Sequence, residues 1–265
     1  MAFIEIEKRE IQSKFNMSNF QSHDFFELYF LLSGSREIFI QNKLFVLNKN
    51  SLCVIPPYSI HKTEGDAYIR YNLYISQEFL TEAELNFLNK LAHNLAFKLS
   101  SEQMSFISLL FEKATEQHIT DATLQTNHFV TFAKTALAYL SVQPNLSPLS
   151  PAGTTASYSY FNTTIMQIVS YINENYQNQI SLNSLSKKFF ISKITLCKRF
   201  RQAMNCSVVQ YLTYVRLNKA KQYLFTTNKD METIAEICGF SSGNYFSLIF
   251  KKHFGISPQN YRKKQ

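Results

Sequence analysis

The sequence predicts an α+β protein of two domains: an N-terminal antiparallel barrel or sandwich with a helical tail, and a C-terminal all-α module that uses one helix-turn-helix plan twice. Three observations carry this. Phe200, Ser207 and Tyr211 recur fifty positions later as Phe250, Ser257 and Tyr261, with Leu196 answered by Phe246 and Met204 by Phe254. Upstream the offset is forty-nine, matching Leu185, Ser186 and Ile191 to Ile234, Ala235 and Phe240, and one extra turn residue in Ser241-Ser242-Gly243 absorbs the change. The charge is divided as well. Residues 161–265 hold 15 Lys or Arg against 4 Asp or Glu, whereas residues 1–160 hold 12 against 15, so the net +8 of the 265-residue chain is basic at one end only. Finally, the apolar pattern changes from short runs to helical spacing near residue 78.

From about residue 4 to 75, short apolar runs alternate with turn residues: Phe25 to Leu32, then Ser33-Gly34-Ser35, Glu37 to Ile40, Leu44 to Leu47, Leu52 to Pro56 and Tyr68 to Ile75. That spacing suggests a small antiparallel sandwich or barrel. From Glu78 to about Val142 the apolar residues fall at helical intervals: Phe79, Leu80, Leu85, Leu88 and Leu91, then Phe106, Leu109 and Leu110, then Phe129, Phe132, Ala133, Ala136, Leu137 and Leu140. Residues 143–160 carry three prolines and many small polar residues and read as a flexible linker. The predicted division is 1–142, 143–160 and 161–265.

In the C-terminal domain, punctuation places the helices. A first helix covers about Thr163 to Tyr176. Ser181 suits an N-cap for a helix through Phe189, because its hydroxyl can accept a free N–H of the first turn, and Ser192 does the same for Lys193 to Met204. Asn205 sits where a left-handed C-cap is wanted. A long helix from about Ser207 to Phe225 joins the halves, followed by helices near Met231 to Cys238, Gly243 to His253 and Ser257 to Tyr261. Leu196 with Phe200, and Phe246 with Phe250, are i,i+4 pairs on one face, which must be core. The opposite faces are left for a partner: Lys193, Ile194, Thr195, Cys197, Lys198 and Arg201 in the first unit, and Gly243, Asn244, Ser247, Leu248 and Lys251 in the second. In a major groove Lys can contact guanine acceptors and Asn can pair with adenine, while Lys and Arg can equally hold phosphate.

The composition excludes several classes. Met1 to Phe20 has no continuous apolar core, so no secretory signal is expected, and no apolar run reaches membrane-spanning length. Cys53, Cys197, Cys206 and Cys238 are widely spaced, against both a zinc site and a disulfide framework. A reduced cytoplasm fits this reading.

The stretch from Ile180 to Arg262 resembles the DNA-binding domain of the AraC/XylS family of bacterial transcription regulators. The residues that carry the resemblance are Thr-Ile-Ala-Glu-Ile-Cys-Gly-Phe at 233–240, Tyr-Phe-Ser at 245–247, Phe-Lys-Lys-His-Phe-Gly-Ile-Ser-Pro at 250–258 and Tyr-Arg at 261–262. It implies two helix-turn-helix units on a connecting helix, entering major-groove segments about 34 Å apart on one DNA face. It also implies promoter DNA and RNA polymerase as partners. Leu248 departs from the family, which often has Arg there, and favours an apolar contact such as a thymine methyl. Asn205 and Cys206 replace a more usual Gly-containing turn.

More loosely, the N-terminal region is similar to the cupin-type sensor domains of that family. The matching residues are His23 and Glu27, Ser33-Gly34-Ser35, and Ser-Leu-Cys-Val-Ile-Pro-Pro-Tyr-Ser-Ile-His at 51–61. The resemblance implies a small-molecule effector, with His23, Glu27, His61 and Arg70 as candidate contacts; the apolar stripes of the helical stretch from Gln103 to Val142 suit a homodimer surface or packing on its own barrel. Cupin enzymes bind metal through clustered His and carboxylate. Here the His-x-His pair is missing because position 25 is Phe, so neither a catalytic residue nor a metal or other cofactor is expected. Two other readings remain: a metal-dependent cupin enzyme with a DNA-binding tail, and a regulator whose N-terminal domain binds a protein.

Overall fold

The computed structural model describes residues 2–17, 20–40, 43–143, 146–152, 163–204 and 206–263. They form two compact units, one built from residues 2–17 and 21–152, the other mainly from 153–265.

The first unit is one antiparallel sheet. Its strands are β1 (Ile4–Ile11), β2 (Phe26–Ile40), β3 (Lys43–Asn48), β4 (Ser51–Ile55), β5 (His61–Ile75), β6 (Ala96–Lys98) and β7 (Ser147–Pro148). The order is β1-β5-β2-β4-β6-β7, with β3 paired to β2. Successive side chains of a strand point to opposite faces, so β2 sorts its own residues. Phe26, Leu28 and Phe30 join Leu52, Val54, Leu73 and Ile75 in a core shared with three helices. Tyr29, Leu31, Ile38 and Ile40 fill the other face with Phe45, Leu47, Cys53 and Ile55. Each such fully buried side chain contributes about 1.5–3 kcal/mol. The helices are α1 (Glu82–Ala92), α2 (Ser101–Glu116) and α3 (Ala122–Ser141), with capping boxes at Thr81 and Ser100 and an Asp121 cap.

Three expectations change here. Ser33-Gly34-Ser35 is no turn between strands; it lies inside the fifteen-residue β2, whose pairing with β5 shifts register between Leu31 and Ser33 and again between Gly34 and Arg36. Such bulges bend a strand without ending it. Gly34 is needed at this bend, since its φ is +89° and a Cβ would lie 2.2 Å from the Ala67 carbonyl oxygen. The segment expected as a linker also begins inside the fold. Phe97 pairs with Pro148 and Lys98 with Ser147, Leu149 N–H donates to Ala96 O, and Ala152 N–H donates to Leu44 O. Proline at a sheet edge leaves no ladder donor missing, which is why a proline-rich piece can serve as the last strand. The helical pattern from residue 78 onward is likewise interrupted by β6.

The second unit is all-α: α4 (Thr163–Asn175), α5 (Leu182–Lys188), α6 (Lys193–Met204), α7 (Val208–Thr226), α8 (Met231–Ile237), α9 (Gly243–Phe254) and α10 (Pro258–Lys263). Ser181 and Ser192 cap as the sequence suggests, and Ser207 and Ser242 do the same for α7 and α9. Ser181 accepts from Ser184 N, Ser192 from Thr195 N, Ser207 from Gln210 N and Ser242 from Tyr245 N. Asn205, expected as a C-cap, lies outside the described residues. Helix α7 buries Tyr211, Leu212 and Val215 early and Leu217, Ala220 and Leu224 later, because it is packed by helices that precede and follow it. Around its second half, Ile234, Ala235, Cys238, Phe240, Phe246 and Phe250 close a core.

Candidate functional site

Helices α6 and α9 each turn one side inward. Leu196, Phe200, Ala203 and Met204 are buried in α6, and Phe246 and Phe250 in α9. The inward spacing leaves i, i+3, i+4 and i+7 on the outside. In α6 these are Ile194, Cys197, Lys198 and Arg201, all exposed, with Ile194 at 82%. Lys193 is exposed, and Thr195 is half-buried with its hydroxyl bonded to Ser192 Oγ at 2.8 Å. In α9 the outer row is Asn244, Ser247, Leu248 and Lys251, with Leu248 65% exposed and Ser247 half-buried.

Gly243 does not belong with them. It is buried, its N–H donates to Glu232 Oε2 at 2.9 Å, and a Cβ there would meet that oxygen at 2.2 Å. Its role is to let the α8 carboxylate close on the start of α9, where the free N–H groups favour negative charge. Sequence reading missed three exposed side chains beside these rows: Arg199, Tyr245 and Phe190, the last 98% exposed. The signal for Phe190 was available, because Gly239 is its partner in the forty-nine-residue repeat.

A second site lies in the first unit. A cavity of about 470 Å³ is lined by His23, Glu27, His61 and Arg70, and also by Tyr29 and Tyr74. All four residues singled out in the sequence therefore meet. Glu27 and His61 are brought together by curvature. In the β2–β5 ladder Glu27 faces Tyr74 while His61 faces Ile40, positions that a straight strand would hold roughly 40 Å apart. The bulges curl this strand pair so that His61 Nε2 comes to 3.5 Å from Glu27 Oε2.

The cluster is tightly held. His23 Nε2 lies 3.0 Å from Glu27 Oε2, and its ring stacks on Phe25 at 4.1 Å. His23 Nδ1 donates to Phe25 O at 2.8 Å and His61 Nδ1 to Ser59 O at 3.1 Å. Asn72 Nδ2 donates to Glu27 Oε1 and to the Tyr74 hydroxyl, which donates to Glu7. Arg70 Nη2 reaches Glu7 Oε2 at 3.2 Å, while Arg70 Nη1 and Asn72 Oδ1 are buried without a hydrogen-bond partner. Burial acts to raise the Glu27 carboxyl, but the His23 hydrogen bond and the nearby His61, His23 and Arg70 hold it below the usual range. Burial lowers His61 to about 4, against the pull of Glu27. Asn72 and Tyr74 were missed in the sequence, although i, i+2 spacing from Arg70 puts them on its face.

Two family models match the chain: an AraC-like ligand binding domain over residues 6–129 and a helix-turn-helix domain over residues 185–264. The chain is 37% identical over 101 residues to the lactose operon transcription activator of Staphylococcus xylosus, covering 38% of this chain and 36% of that protein. It is 37% identical over 95 residues to the raffinose operon transcriptional regulatory protein RafR of Pediococcus pentosaceus, covering 36% and 34%. The matched part thus spans about a third of the length of these relatives. A crystal structure of an AraC-type regulator from Chromobacterium violaceum is 31% identical over 38% of this chain and 90% of that one, with a TM-score of 0.37. With the ligand-binding model on its sheet-rich unit and the helix-turn-helix model on its helical unit, the chain belongs to the AraC family of regulators.

Proposed function

We propose that this protein regulates transcription by binding specific DNA sites through α6 and α9, under the control of a small molecule held in the N-terminal cavity. The observation that carries the reading is the pair of outer rows, Ile194-Cys197-Lys198-Arg201 and Asn244-Ser247-Leu248-Lys251, on helices whose inner rows are fully packed. Helices built this way enter major grooves with side chains free to reach base edges. The surplus of Lys and Arg after residue 160 supplies the salt-dependent part of affinity. The relatives named above support regulation of transcription.

The cavity supports the effector role, since its lining residue Arg70 carries an Nη1 without a hydrogen-bond partner, a donor for a polar ligand. Control then requires that the ligand prefer one of two states of the regulator. A homodimer through α2 and α3 belongs to the same reading and is supported by exposed Leu109 and Leu124; RNA polymerase is the natural downstream partner. No helix among the described residues is long and apolar enough to cross a membrane.

Genome-wide mapping of binding sites, followed by anisotropy titrations on a recovered site and a scrambled duplex, tests the reading. Preference for the recovered site with a steep fall in affinity as salt rises is expected. Equal affinity for both duplexes would break it.

A further inference from the structure

We propose that His23, Glu27 and His61 form a binding site for one first-row divalent transition-metal ion. A carbonyl oxygen can only accept, so the Nδ1 atoms on Phe25 O and Ser59 O must both carry hydrogen. In the neutral rings the two Nε2 atoms are then lone-pair donors, and both face the same carboxylate oxygen, at 3.0 Å and 3.5 Å. Three electron-rich atoms facing one another need a cation among them. A proton can bridge only one nitrogen to the oxygen; a metal ion satisfies both.

The spacing agrees. Ligands about 2.0–2.1 Å from a metal, at octahedral or tetrahedral angles, lie roughly 2.8–3.4 Å from one another. The two His–Glu separations are close to this range, and all three donor atoms lie within 4.8 Å of one another. Nδ1–H donated to a carbonyl is also the usual outer support of a ligating imidazole, fixing its tautomer and aim. Asn72 steadies the other carboxylate oxygen in the same way. Two imidazoles and one carboxylate select ions such as Zn(II), Co(II), Ni(II) or Fe(II) over Mg(II) and Ca(II), which prefer oxygen alone. The ligands line the cavity, so a remaining coordination position faces it and would take an oxygen donor. Although Phe25 removes the His-x-His pair from the sequence, folding supplies a three-ligand set from two distant segments.

The inference uses the cavity of the proposed effector reading but not DNA recognition, so the two can fail separately. The test titrates metal-stripped full-length protein with Co(II) chloride, read by visible d–d absorption, with displacement by Zn(II). The cobalt arms carry Cys197→Ser, because that thiol is exposed, and the DNA measurement keeps Cys197. One equivalent of Co(II) is expected, with affinity reduced 10-fold or more by His23→Gln or His61→Gln and unchanged by His128→Gln, whose ring bonds Ala114 O elsewhere. Half-buried His23 is the decisive position, because its loss leaves the apolar core in place, and a melting curve of each variant verifies folding. Bound Zn(II) should also raise the melting temperature of the parent protein and not of His23→Gln. No Co(II) binding, or binding indifferent to His23→Gln, overturns the site. Failure of the metal-free protein to prefer its DNA site would instead overturn the proposed function.

Discussion

The two helical pairs of the C-terminal unit share a plan and differ at its tightest point. After α5 the chain turns through Phe190 with φ +50°, and Ile191 N–H donates back to Ser186 O; after α8 it turns through Gly239 with φ +80°, and Phe240 N–H donates back to Ala235 O. Both are left-handed helix ends with the 6→1 hydrogen bond of a Schellman motif. At Gly239 a Cβ would lie 2.7 Å from Gln177 O and 2.8 Å from Tyr176 O, so the turn is pressed against backbone. At Phe190 the side chain is almost wholly exposed. A turn with neighbours on every side dictates glycine. The same turn in the open tolerates phenylalanine at a conformational cost of about 1–2 kcal/mol.

The cores differ in parallel. The second pair is aromatic, with Phe246 against Phe250 at 5.5 Å and Phe250 against Phe254 at 4.6 Å, where the first has Leu196, Phe200 and Met204. The start of the second helix of each pair differs too. Glu232 closes on Gly243 in the second pair, while the corresponding residues in the first are Asn183 and Lys193.

The largest way to break this comparison is through the core. Phe246→Ala should cost about 3–5 kcal/mol in urea unfolding of the full chain, and Leu196→Ala about 2–5; a markedly smaller loss at Phe246 would mean its cluster collapses to fill the space. Next comes the turn. Gly239→Ala should destabilise by about 2–4 kcal/mol, since it adds both left-handed strain and a backbone clash, and a loss below 1 kcal/mol would show that the turn shifts freely.

The outer rows give a smaller and more specific effect. Asn244→Ala should weaken binding to a cognate duplex by about 1–3 kcal/mol and relax preference at one base pair, whereas Lys251→Ala should weaken all duplexes alike and reduce the salt slope by about one unit. Equal losses for Asn244→Ala on cognate and scrambled DNA would leave Asn244 a cap or phosphate contact. Phe190→Gly runs in the opposite direction. It should stabilise the protein by about 0.5–1 kcal/mol, because glycine adopts the turn without strain and little packing is lost. A simultaneous drop in DNA affinity would place Phe190 in the interface. Smallest of all, Glu232→Ala should lower stability by about 0.3–1 kcal/mol through the lost charge at the α9 start, with no matching effect for Asn183→Ala in thermal melts.

Much of the helical unit was readable from the chain. The offsets of fifty and forty-nine paired Leu196 with Phe246 and Leu185 with Ile234, and all four are completely buried. Helical periodicity, serine caps and the inward and outward rows are local properties, set by residues within one or two turns. Gly243 misled the reading because glycine has no side chain to declare its surroundings; only the approach of Glu232 from α8 shows why it stands there. The barrel was less legible. Alternating runs gave the strands, but Ser33-Gly34-Ser35 reads as a turn in any local window, and its role as a bulge depends on the carbonyl of Ala67, distant in sequence.

By itself, then, the sequence determined the two-part division, the helices and their caps, the basic character of one end and the polar residues His23, Glu27, His61 and Arg70. The tertiary structure alone decided that these four share a cavity, and that both histidines turn Nε2 to one carboxylate oxygen. The physical reason is range. Helix faces and caps follow from contacts a few residues apart, whereas the convergence of His61 on Glu27 follows from the accumulated bend of two paired fifteen-residue strands, to which every bulge and cross-strand pair contributes.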